Sequence, residues 1–222
     1  MIDFLVIGGG IAGTSVGARL SHLGHVVVLE RETALAYHAS GRSAAMFEES
    51  YGAPSTIALN KASRDYHFEA NGGVTSPRGL MLIGTADSTQ AFQTDLVDMQ
   101  LQQISVADAR AMIPILNNSV TQIGYSAGAW DLDTDLLVQN FAREVRHFGG
   151  IVRTSTEVTG ISRTQAGWEV TVGDEVLSAR NLVNAAGAWV DLVAQMAGIA
   201  PLGITPLRRS MARIPAPDGH DV

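Results

Sequence analysis

The stretch IDFLVIGGGIAGTSVGARLSHLGHVVVLERE, residues 2–32, decides the fold. Residues 4–7 form a short apolar run that predicts a buried strand, and three glycines follow it. Val16, Leu20 and Leu23 then recur at helical spacing, and the apolar run at residues 26–29 predicts a second buried strand. A strand, a glycine turn, a helix and another strand in this order predict a βαβ unit with parallel strands.

The glycine turn has the pattern G-x-G-x-x-G at Gly8, Gly10 and Gly13, and Glu30 ends the second strand at about the spacing of the dinucleotide fingerprint. The glycines allow a tight turn, a close approach of pyrophosphate and close packing of helix on strand. The helix N-terminus offers free N–H groups to the pyrophosphate, and Glu30 can accept hydrogen bonds from ribose hydroxyls. The pattern therefore predicts recognition of ADP, which leaves both FAD and NAD open.

The composition of the chain limits the classes of function that it can have. A chain of 222 residues with 46% hydrophobic and 17% charged residues is typical of a globular protein with one large or two small domains. The net charge of −7 gives no support for nucleic-acid binding. There is no cysteine, which excludes disulfides and thiolate chemistry, and the six histidines show no metal-ligand spacing, so we expect no metal. No apolar run approaches the ~20 residues of a transmembrane helix, and no signal peptide is evident, so we expect a cytoplasmic protein.

Further elements follow from the patterns along the chain. We predict helices over 51–68, 89–103, 134–148 and 189–197, of which the third is capped by Asp133 or Thr134, and a short helix capped by Ser105 that ends before Pro114. We also predict strands over 80–83, 120–125 and 181–186, and a hairpin that turns at residues 173–174 and continues at 176–177.

Six stretches of the sequence resemble one family over nearly the whole chain: VIGGGIAG, VVVLERE, SGRSAA, DLDTD, LVNAAGAW and PLGITPLRRS. Together they resemble the D-amino-acid oxidase-like family of FAD enzymes, which includes glycine oxidase, sarcosine oxidase and the D-amino-acid dehydrogenases. Within this family the chain is most similar to the bacterial D-arginine dehydrogenases. The resemblance implies FAD as cofactor and an α/β fold: a Rossmann-like FAD-binding domain of the glutathione-reductase type over 1–75 and 134–200, with a partial α+β substrate domain over 76–133 and 201–222.

The resemblance also implies which residues contact FAD. The pyrophosphate would lie against Ala12 and its neighbours, the adenosine ribose against Glu30 and Arg31, and the flavin ring above the segment 39–46. Arg31 by itself suggests an NADP 2′-phosphate site, but the intact Glu30 beside it favours ribose hydroxyls. The full implied set is Gly8, Gly10, Ile11, Ala12, Gly13, Glu30, Arg31, Ser40, Gly41, Arg42, Ser43, Ala44, Ala45, Val158 (adenine, through its backbone), Ala185, Ala186, Gly187 and Trp189.

The implied reaction is oxidative deamination. A neutral amine would lose the hydride of its α-carbon to flavin N5, and water would hydrolyse the resulting imine to a 2-keto acid. Arg208 and Arg209 fall on the paired arginines of the family, one of which binds the substrate carboxylate. Tyr51 matches a tyrosine that closes over the substrate, and Met46 stands at an active-site position.

Two positions depart from the D-arginine dehydrogenases. Met46 replaces a histidine, and Leu80 replaces the acid that binds the cationic side chain of the substrate. Because a guanidinium is costly to bury without a counter-charge, we expect an apolar or small D-amino acid, or a related amine, as substrate. Glu48 lies in the same loop as Met46 and could restore a charge, but we expect it to be a solvated surface acid.

The chain is also shorter than members of the family, which continue with more substrate-domain strands and a glycine-rich segment. We therefore expect it to correspond to an N-terminal portion. Three functions stay open: a catalytic flavoenzyme that needs the remaining part or a complementing chain, a flavin-binding module that is not an enzyme, and an NAD(P)-dependent Rossmann protein. The LVNAAGAW segment and the lack of a second glycine-rich fingerprint argue against the third.

Overall fold

The computed structural model describes residues 1–208, 210 and 215. Its strands are β1 (Ile2–Ile7), β2 (Val26–Leu29), β3 (Met46–Phe47), β4 (Thr75–Pro77), β5 (Leu80–Thr85), β6 (Gln102–Ile104), β7 (Val120–Ser126), β8 (Trp130–Leu132), β9 (Ile151–Arg153), β10 (Val158–Thr164), β11 (Gly167–Val172) and β12 (Glu175–Asn184). Its α-helices are α1 (Ile11–Leu20), α2 (Pro54–Glu69), α3 (Thr89–Asp98), α4 (Val106–Met112), α5 (Thr134–His147) and α6 (Val190–Met196).

The described chain divides into two compact units. The first unit contains Met1–Ser43 and the chain from Asp133 to residue 210, and the second contains Ala44–Leu132. We expected the FAD-binding part to contain residues 1–75 and 134–200, whereas the N-terminal segment of the first compact unit ends at Ser43. The assignment of FAD binding to one unit and substrate binding to the other stays a prediction.

The first unit is built on one six-stranded sheet in the order β10-β11-β12-β1-β2-β9. The four strands β12, β1, β2 and β9 are parallel, while β10, β11 and β12 pair antiparallel. β12 belongs to both the antiparallel and the parallel part of the sheet, because its first residues pair with β11 and its last ones with β1. We predicted two elements here, at 176–177 and 181–186, but no glycine or proline interrupts this segment and it forms one strand. The parallel core confirms the α/β fold class.

The two faces of this sheet are covered differently. Val26 and Val28 lie against the helices, since a Cβ on Gly17 of α1 would lie 2.9 Å from Val28 Cγ2 and 3.4 Å from Val145 Cγ2 of α5. Leu5, Val27 and Leu29 alternate to the other face and pack against the antiparallel strands, together with Val170, Val172 and Ala179. β2 and the end of β1 are therefore buried on both sides, which is why residues 5–7 and 26–29 are continuous apolar runs.

The second unit contains two antiparallel three-stranded sheets, β3-β8-β4 and β5-β7-β6. α3 packs on the second sheet, where the Phe92 ring and the Leu96 side chain lie over Gly84 and Gly124. The first sheet carries an aromatic cluster in which the Phe68 ring lies 4.8 Å from Trp130 and 6.0 Å from Phe47.

Three helix boundaries differ from the sequence prediction. α2 begins at Pro54 rather than residue 51, because a proline fits the first turn and its predecessor stays extended. α3 ends at Asp98 rather than residue 103, because Gln100 turns into the left-handed region with φ 55° and the chain then forms β6. α1 ends at Leu20, so Leu23 lies outside it and is 76% exposed. The predicted caps Ser105 and Asp133 are confirmed, since they accept the N–H groups of Asp108 and Leu136.

Candidate functional site

The candidate site lies at the carboxyl edge of the parallel strands in the first unit. Gly8 follows β1, Glu30 follows β2 and Ala185 follows β12, so parallel pairing brings these three positions to one edge. The Gly8 N–H donates to Leu29 O (2.8 Å) and the Ala185 N–H donates to Ile7 O (2.9 Å). Ligands of open α/β sheets bind outside this edge.

The glycines of the turn are required by their close contacts. Gly8 has φ +114°, and a Cβ there would lie 2.3 Å from Ala185 O. A Cβ on Gly13 would lie 1.8 Å from Gly8 O, so the first turn of α1 rests on the backbone of the glycine loop. A Cβ on Gly10 would meet only Ser40 Oγ within 4 Å, at 3.2 Å. The loop is therefore packed on its sheet side and open beside Gly10, as a bound pyrophosphate requires.

The N-terminus of α1 presents donors at this open place. Gly10 is the N-cap and has no side chain to cap the helix. The Ile11 N–H donates to Ser40 Oγ (3.0 Å), while the N–H groups of Ala12 and Gly13 have no acceptor in the described part of the chain. Free amides at the positive end of a helix dipole form an anion site, and they fit the pyrophosphate of FAD.

Glu30 is fixed by backbone donors on both carboxylate oxygens. The Gly9 N–H donates to Oε2 (2.7 Å) and the Glu32 N–H donates to Oε1 (2.8 Å). Its own N–H donates to Arg153 O of β9, and its carbonyl accepts the Thr156 N–H, both at 2.8 Å. Because each carboxylate oxygen has a further lone pair, this oriented acceptor can still bind ribose hydroxyls.

Arg31 takes part in a small network beside Glu30. Its Cζ lies 4.7 Å from the centroid of the Trp189 ring, and its Nη2 is 2.9 Å from Glu32 Oε1. His38 Nε2 also lies 2.9 Å from Glu32 Oε1. The hydrogen bond with His38, followed by that with Arg31, lowers the pKa of Glu32 below its usual value. Because the Arg31 guanidinium already contacts Glu32 and Trp189, this arrangement does not favour an NADP 2′-phosphate site. The two acids that flank Arg31 in the sequence were the sequence signal for this network.

The segment after His38 is a short 3₁₀ turn over Ser40–Arg42. The Gly41 N–H donates to Ala36 O (2.8 Å), and a Cβ on Gly41 would lie 2.3 Å from the same oxygen. Arg42 Cζ stands 4.9 Å from the centroid of the Tyr37 ring. Ser43 ends the first unit, whereas Ala44 and Ala45 belong to the second.

The turn after β12 is anchored by Asn184, a residue to which we assigned no role from the sequence. Asn184 Nδ2 donates to Val190 O (2.7 Å) and its Oδ1 accepts the Ala186 N–H (3.3 Å). The Trp189 N–H donates to Ala186 O (3.0 Å). Gly187 has φ +55° and open space around its Cβ position. The sequence signal for this role of Asn184 was its position between the end of β12 and the triplet Ala185-Ala186-Gly187.

Val158 begins β10 near the same edge. It pairs with Val172 of β11 at a β-bulge and packs against the core cluster of the sheet. Its backbone follows shortly after Thr156, whose N–H is bound by the Glu30 carbonyl. Val158 is therefore connected through the backbone to the Glu30 region, where adenine is predicted.

Asp191 holds the segment that leads to the predicted arginines. Its Oδ1 accepts the Leu202 N–H (2.9 Å), and its Oδ2 accepts the N–H groups of Gly203 (2.9 Å) and Ile204 (2.8 Å). Arg208 follows in irregular chain and is exposed. Arg209 lies outside the described residues.

The predicted substrate residues of the second unit lie on and after β3. Met46 is half-buried and pairs with Asp131 of β8. Tyr51 is 56% exposed in the loop before α2. Asn60 Nδ2 of α2 donates to Glu48 O (3.1 Å) and to Tyr51 O (3.3 Å), so one amide holds both ends of this loop. Leu80 begins β5 and is half-buried.

The structure differs from the sequence prediction at Glu48. Its Oε1 accepts the Ser50 N–H (3.1 Å), but its Oε2 is buried and has no hydrogen-bond partner among the described residues. The expectation of a solvated surface acid is therefore wrong. The adjacent Glu49 does behave as a surface acid, because its Oε1 pairs with Arg64 Nε at 2.8 Å.

Neither a metal-binding cluster nor a membrane-spanning helix is present among the described residues. Within residues 1–208, 210 and 215, no cluster of three or more histidine and acidic side chains has the geometry of a metal site. No helix in that part of the chain is both long enough and apolar enough to cross a membrane.

Residues 3–222 match the family model described as DAO: FAD dependent oxidoreductase. The chain belongs to this family. Its cofactor is FAD, and the glycine loop, free helix amides and oriented Glu30 fit the ADP part of that cofactor. Closeness to the D-arginine dehydrogenases within the family is a separate matter and stays a prediction.

Relatives with known names agree with the family. Human mitochondrial dimethylglycine dehydrogenase is 27% identical over 218 residues, which cover 89% of this chain and 24% of that protein. L-α-glycerophosphate oxidase from Mycoplasma pneumoniae, solved with FAD bound, superposes with a TM-score of 0.75 at 19% identity, over 88% of this chain and 56% of the other. Glycine oxidase from Geobacillus kaustophilus gives 0.73 at 22% identity, over 88% and 58%. The chain thus spans about a quarter to somewhat over half of these relatives.

Proposed function

We propose that this chain forms the FAD-binding part of an enzyme that oxidatively deaminates a D-amino acid or a related amine. The observation that carries the proposal is the carboxyl edge of the first unit, where the glycine loop, the free amides of Ala12 and Gly13 and the oriented Glu30 match the needs of FAD. When bound, FAD supplies the acceptor for the hydride of the substrate α-carbon, and the released imine hydrolyses to a 2-keto acid.

The residues of the first unit would bind and orient the cofactor. The amides at the start of α1 neutralise pyrophosphate charge, and Glu30 accepts the ribose hydroxyls. Ser40 stands beside the open side of Gly10 through its bond to the Ile11 N–H, so it helps to fix the loop. The segment from Ser40 to Ala45 would support the flavin ring, and the turn at Ala185–Gly187 would pack near the cofactor.

The substrate would be held by four further residues. Arg208, with Arg209, supplies a guanidinium for the α-carboxylate, because its planar fork matches a carboxylate. Tyr51 is exposed in a loop held by Asn60, so its ring is available to close over the substrate. Met46 adds an apolar, polarisable wall.

The finer parts of the proposal rest on the names of relatives, on sequence motifs and on composition. The names of two relatives, dimethylglycine dehydrogenase and glycine oxidase, favour small amines or amino acids as the substrate class. Selectivity for the D-enantiomer and closeness to the D-arginine dehydrogenases rest on the sequence motifs. A cytoplasmic location is proposed because the chain has no cysteine.

A flavin-binding function without catalysis is the second candidate. It is favoured by the observation that the oriented donors and acceptors of the carboxyl edge fit the cofactor, whereas Arg208 is exposed in irregular chain. In that case a complementing chain would supply the other substrate-binding groups.

Product analysis tests the proposed function. The FAD-loaded chain is incubated with D- and L-amino acids and N-methylated glycines, a dye accepts the electrons, and 2-keto acid or glyoxylate is quantified. We expect product from D-amino acids or small amines. Arg208→Met should raise the KM for these substrates roughly tenfold or more, because it removes a charged hydrogen bond, whereas Arg163→Met on the surface hairpin should not. Product from L-amino acids alone would contradict the D-selectivity, and bound flavin without product would support the second candidate.

A further inference from the structure

Glu48 presents a buried carboxylate oxygen without a partner. Oε1 accepts the Ser50 N–H at 3.1 Å, while Oε2 is inaccessible and has no hydrogen bond within the described chain. Leaving a polar atom in this state costs free energy, and more when the group is charged. Native proteins rarely retain such an atom unless a ligand, an ion or water completes it.

The position of Glu48 connects it to the predicted substrate residues. Side chains alternate along a strand, so Glu48, just after β3, continues the face that carries Met46, while Phe47 points to the opposite face and packs against His67 and Phe68. Asn60 binds the carbonyls of Glu48 and Tyr51 and thereby fixes the loop between them. Glu48 therefore stands between two residues that we assign to the substrate.

A glycine lies near the buried Oε2. Gly128 is exposed, and a Cβ built on it would lie 4.0 Å from Glu48 Oε2. Gly128 therefore places no side chain beside this covered oxygen.

We propose that Glu48 determines substrate specificity by binding a positively charged amino group at the end of the substrate side chain. This inference rests on the proposed function, and it changes the expected substrate from an apolar to a cationic D-amino acid. The α-amino group is a poorer partner for Glu48, because hydride loss needs the neutral amine and an adjacent carboxylate would stabilise its protonated form. Glu48 thus supplies the counter-charge that Leu80 cannot.

A matched pair of ligands tests this assignment. D-Lysine and D-norleucine have side chains of similar length, and only D-lysine carries the terminal amino group. Binding of both to the FAD-loaded full chain is measured by calorimetry, and flavin reduction is followed anaerobically with the same samples. The proteins are the wild type, Glu48→Gln and the control Glu49→Gln, which makes the same charge change one residue away in an acid already paired with Arg64.

We expect the wild type to bind D-lysine more tightly than D-norleucine. Glu48→Gln should weaken D-lysine binding roughly 10- to 100-fold and leave D-norleucine unchanged, while Glu49→Gln should match the wild type. Equal effects of Glu48→Gln on both ligands, no effect on either, no binding of either ligand, or a preference of the wild type for D-norleucine would overturn the assignment. Selective loss of D-lysine binding in a chain whose flavin no amine reduces would uphold the role of Glu48 and refute the proposed catalysis, so the two failures are distinguishable.

Discussion

The two acids Glu30 and Glu48 show how differently the two units are prepared for a ligand. In the first unit, both carboxylate oxygens of Glu30 accept backbone N–H groups, and its own backbone is bound to β9 and the segment after it. In the second unit, Glu48 has one oxygen bound and one buried without a partner among the described residues. His67 Nδ1, also in the second unit, is likewise buried without a hydrogen-bond partner among the described residues.

This difference follows from the way each site is made. The cofactor edge is assembled from residues at the ends of adjacent parallel strands, so the fold itself orients Glu30 and the glycine loop before any ligand binds, while the N–H groups of Ala12 and Gly13 stay available to the ligand. The segment from Met46 to Tyr51 follows a two-residue strand and is held mainly through backbone carbonyls. We infer that the cofactor edge is preorganised, while the Glu48 region depends on a ligand to complete its hydrogen bonds.

The largest expected effect is at Gly8. Gly8→Ala would place a Cβ 2.3 Å from Ala185 O at a residue with φ +114°, so both the strand end and the loop must shift. We expect a loss of about 2 kcal/mol or more in the free energy of unfolding, together with loss of FAD binding. Denaturant unfolding and equilibrium dialysis with FAD measure the two effects.

Gly149→Ala is the matched control for this change. Gly149 also has a positive φ, +77°, but open space surrounds its Cβ position. It should lose only about 1 kcal/mol and keep FAD affinity. If Gly8→Ala bound FAD as well as Gly149→Ala, the cofactor edge would not be preorganised as described.

A smaller effect is expected at Asp191. Asp191→Asn removes one of the two oxygens that hold the N–H groups of Leu202, Gly203 and Ile204, and we expect a loss of about 1–2 kcal/mol. Amide exchange at residues 202–204 should accelerate, while exchange in β1 should not change. Asp174→Asn, at an exposed hairpin turn, is the control, and equal exchange in both variants would show that Asp191 does not anchor this segment.

The smallest effect is a pH dependence at His67. Burial lowers the pKa of this imidazole below its ordinary 6.5, so the folded state favours the neutral form. As the pH falls below 6.5 the unfolded state binds the proton first, and the free energy of unfolding should decline until the pH passes the folded pKa. Urea titrations between pH 7.5 and 5 should show this decline in the wild type and a weaker one in His67→Gln, with exposed His147→Gln like the wild type. The same slope in all three proteins would exclude His67 as its source.

The sequence predicted the first unit well because its signals are local. Continuous apolar runs, the glycine pattern and the cap Asp133 each act within a few residues, and the elements form at these positions. The family resemblance added FAD, which the glycine pattern alone left undecided.

The misplaced elements depended on tertiary contacts. The left-handed turn at Gln100 and the pairing of β6 with β7 ended α3 early, although helical periodicity continued beyond it. The burial of Glu48 could not be predicted either, since the sequence FEES gives two adjacent acids no visible difference. Strand alternation and the position of Arg64 make one a surface ion pair and leave the other buried.

Anaerobic reduction of bound FAD by an amine tests the central claim most directly. The FAD-loaded chain is mixed without oxygen with single D-amino acids and with their L-enantiomers, and the visible flavin absorbance is followed. The account predicts bleaching by D-amino acids, slower when the α-hydrogen is replaced by deuterium, because that bond breaks. A bound flavin that keeps its colour with every amine, or bleaching by the L-enantiomers alone, would contradict it.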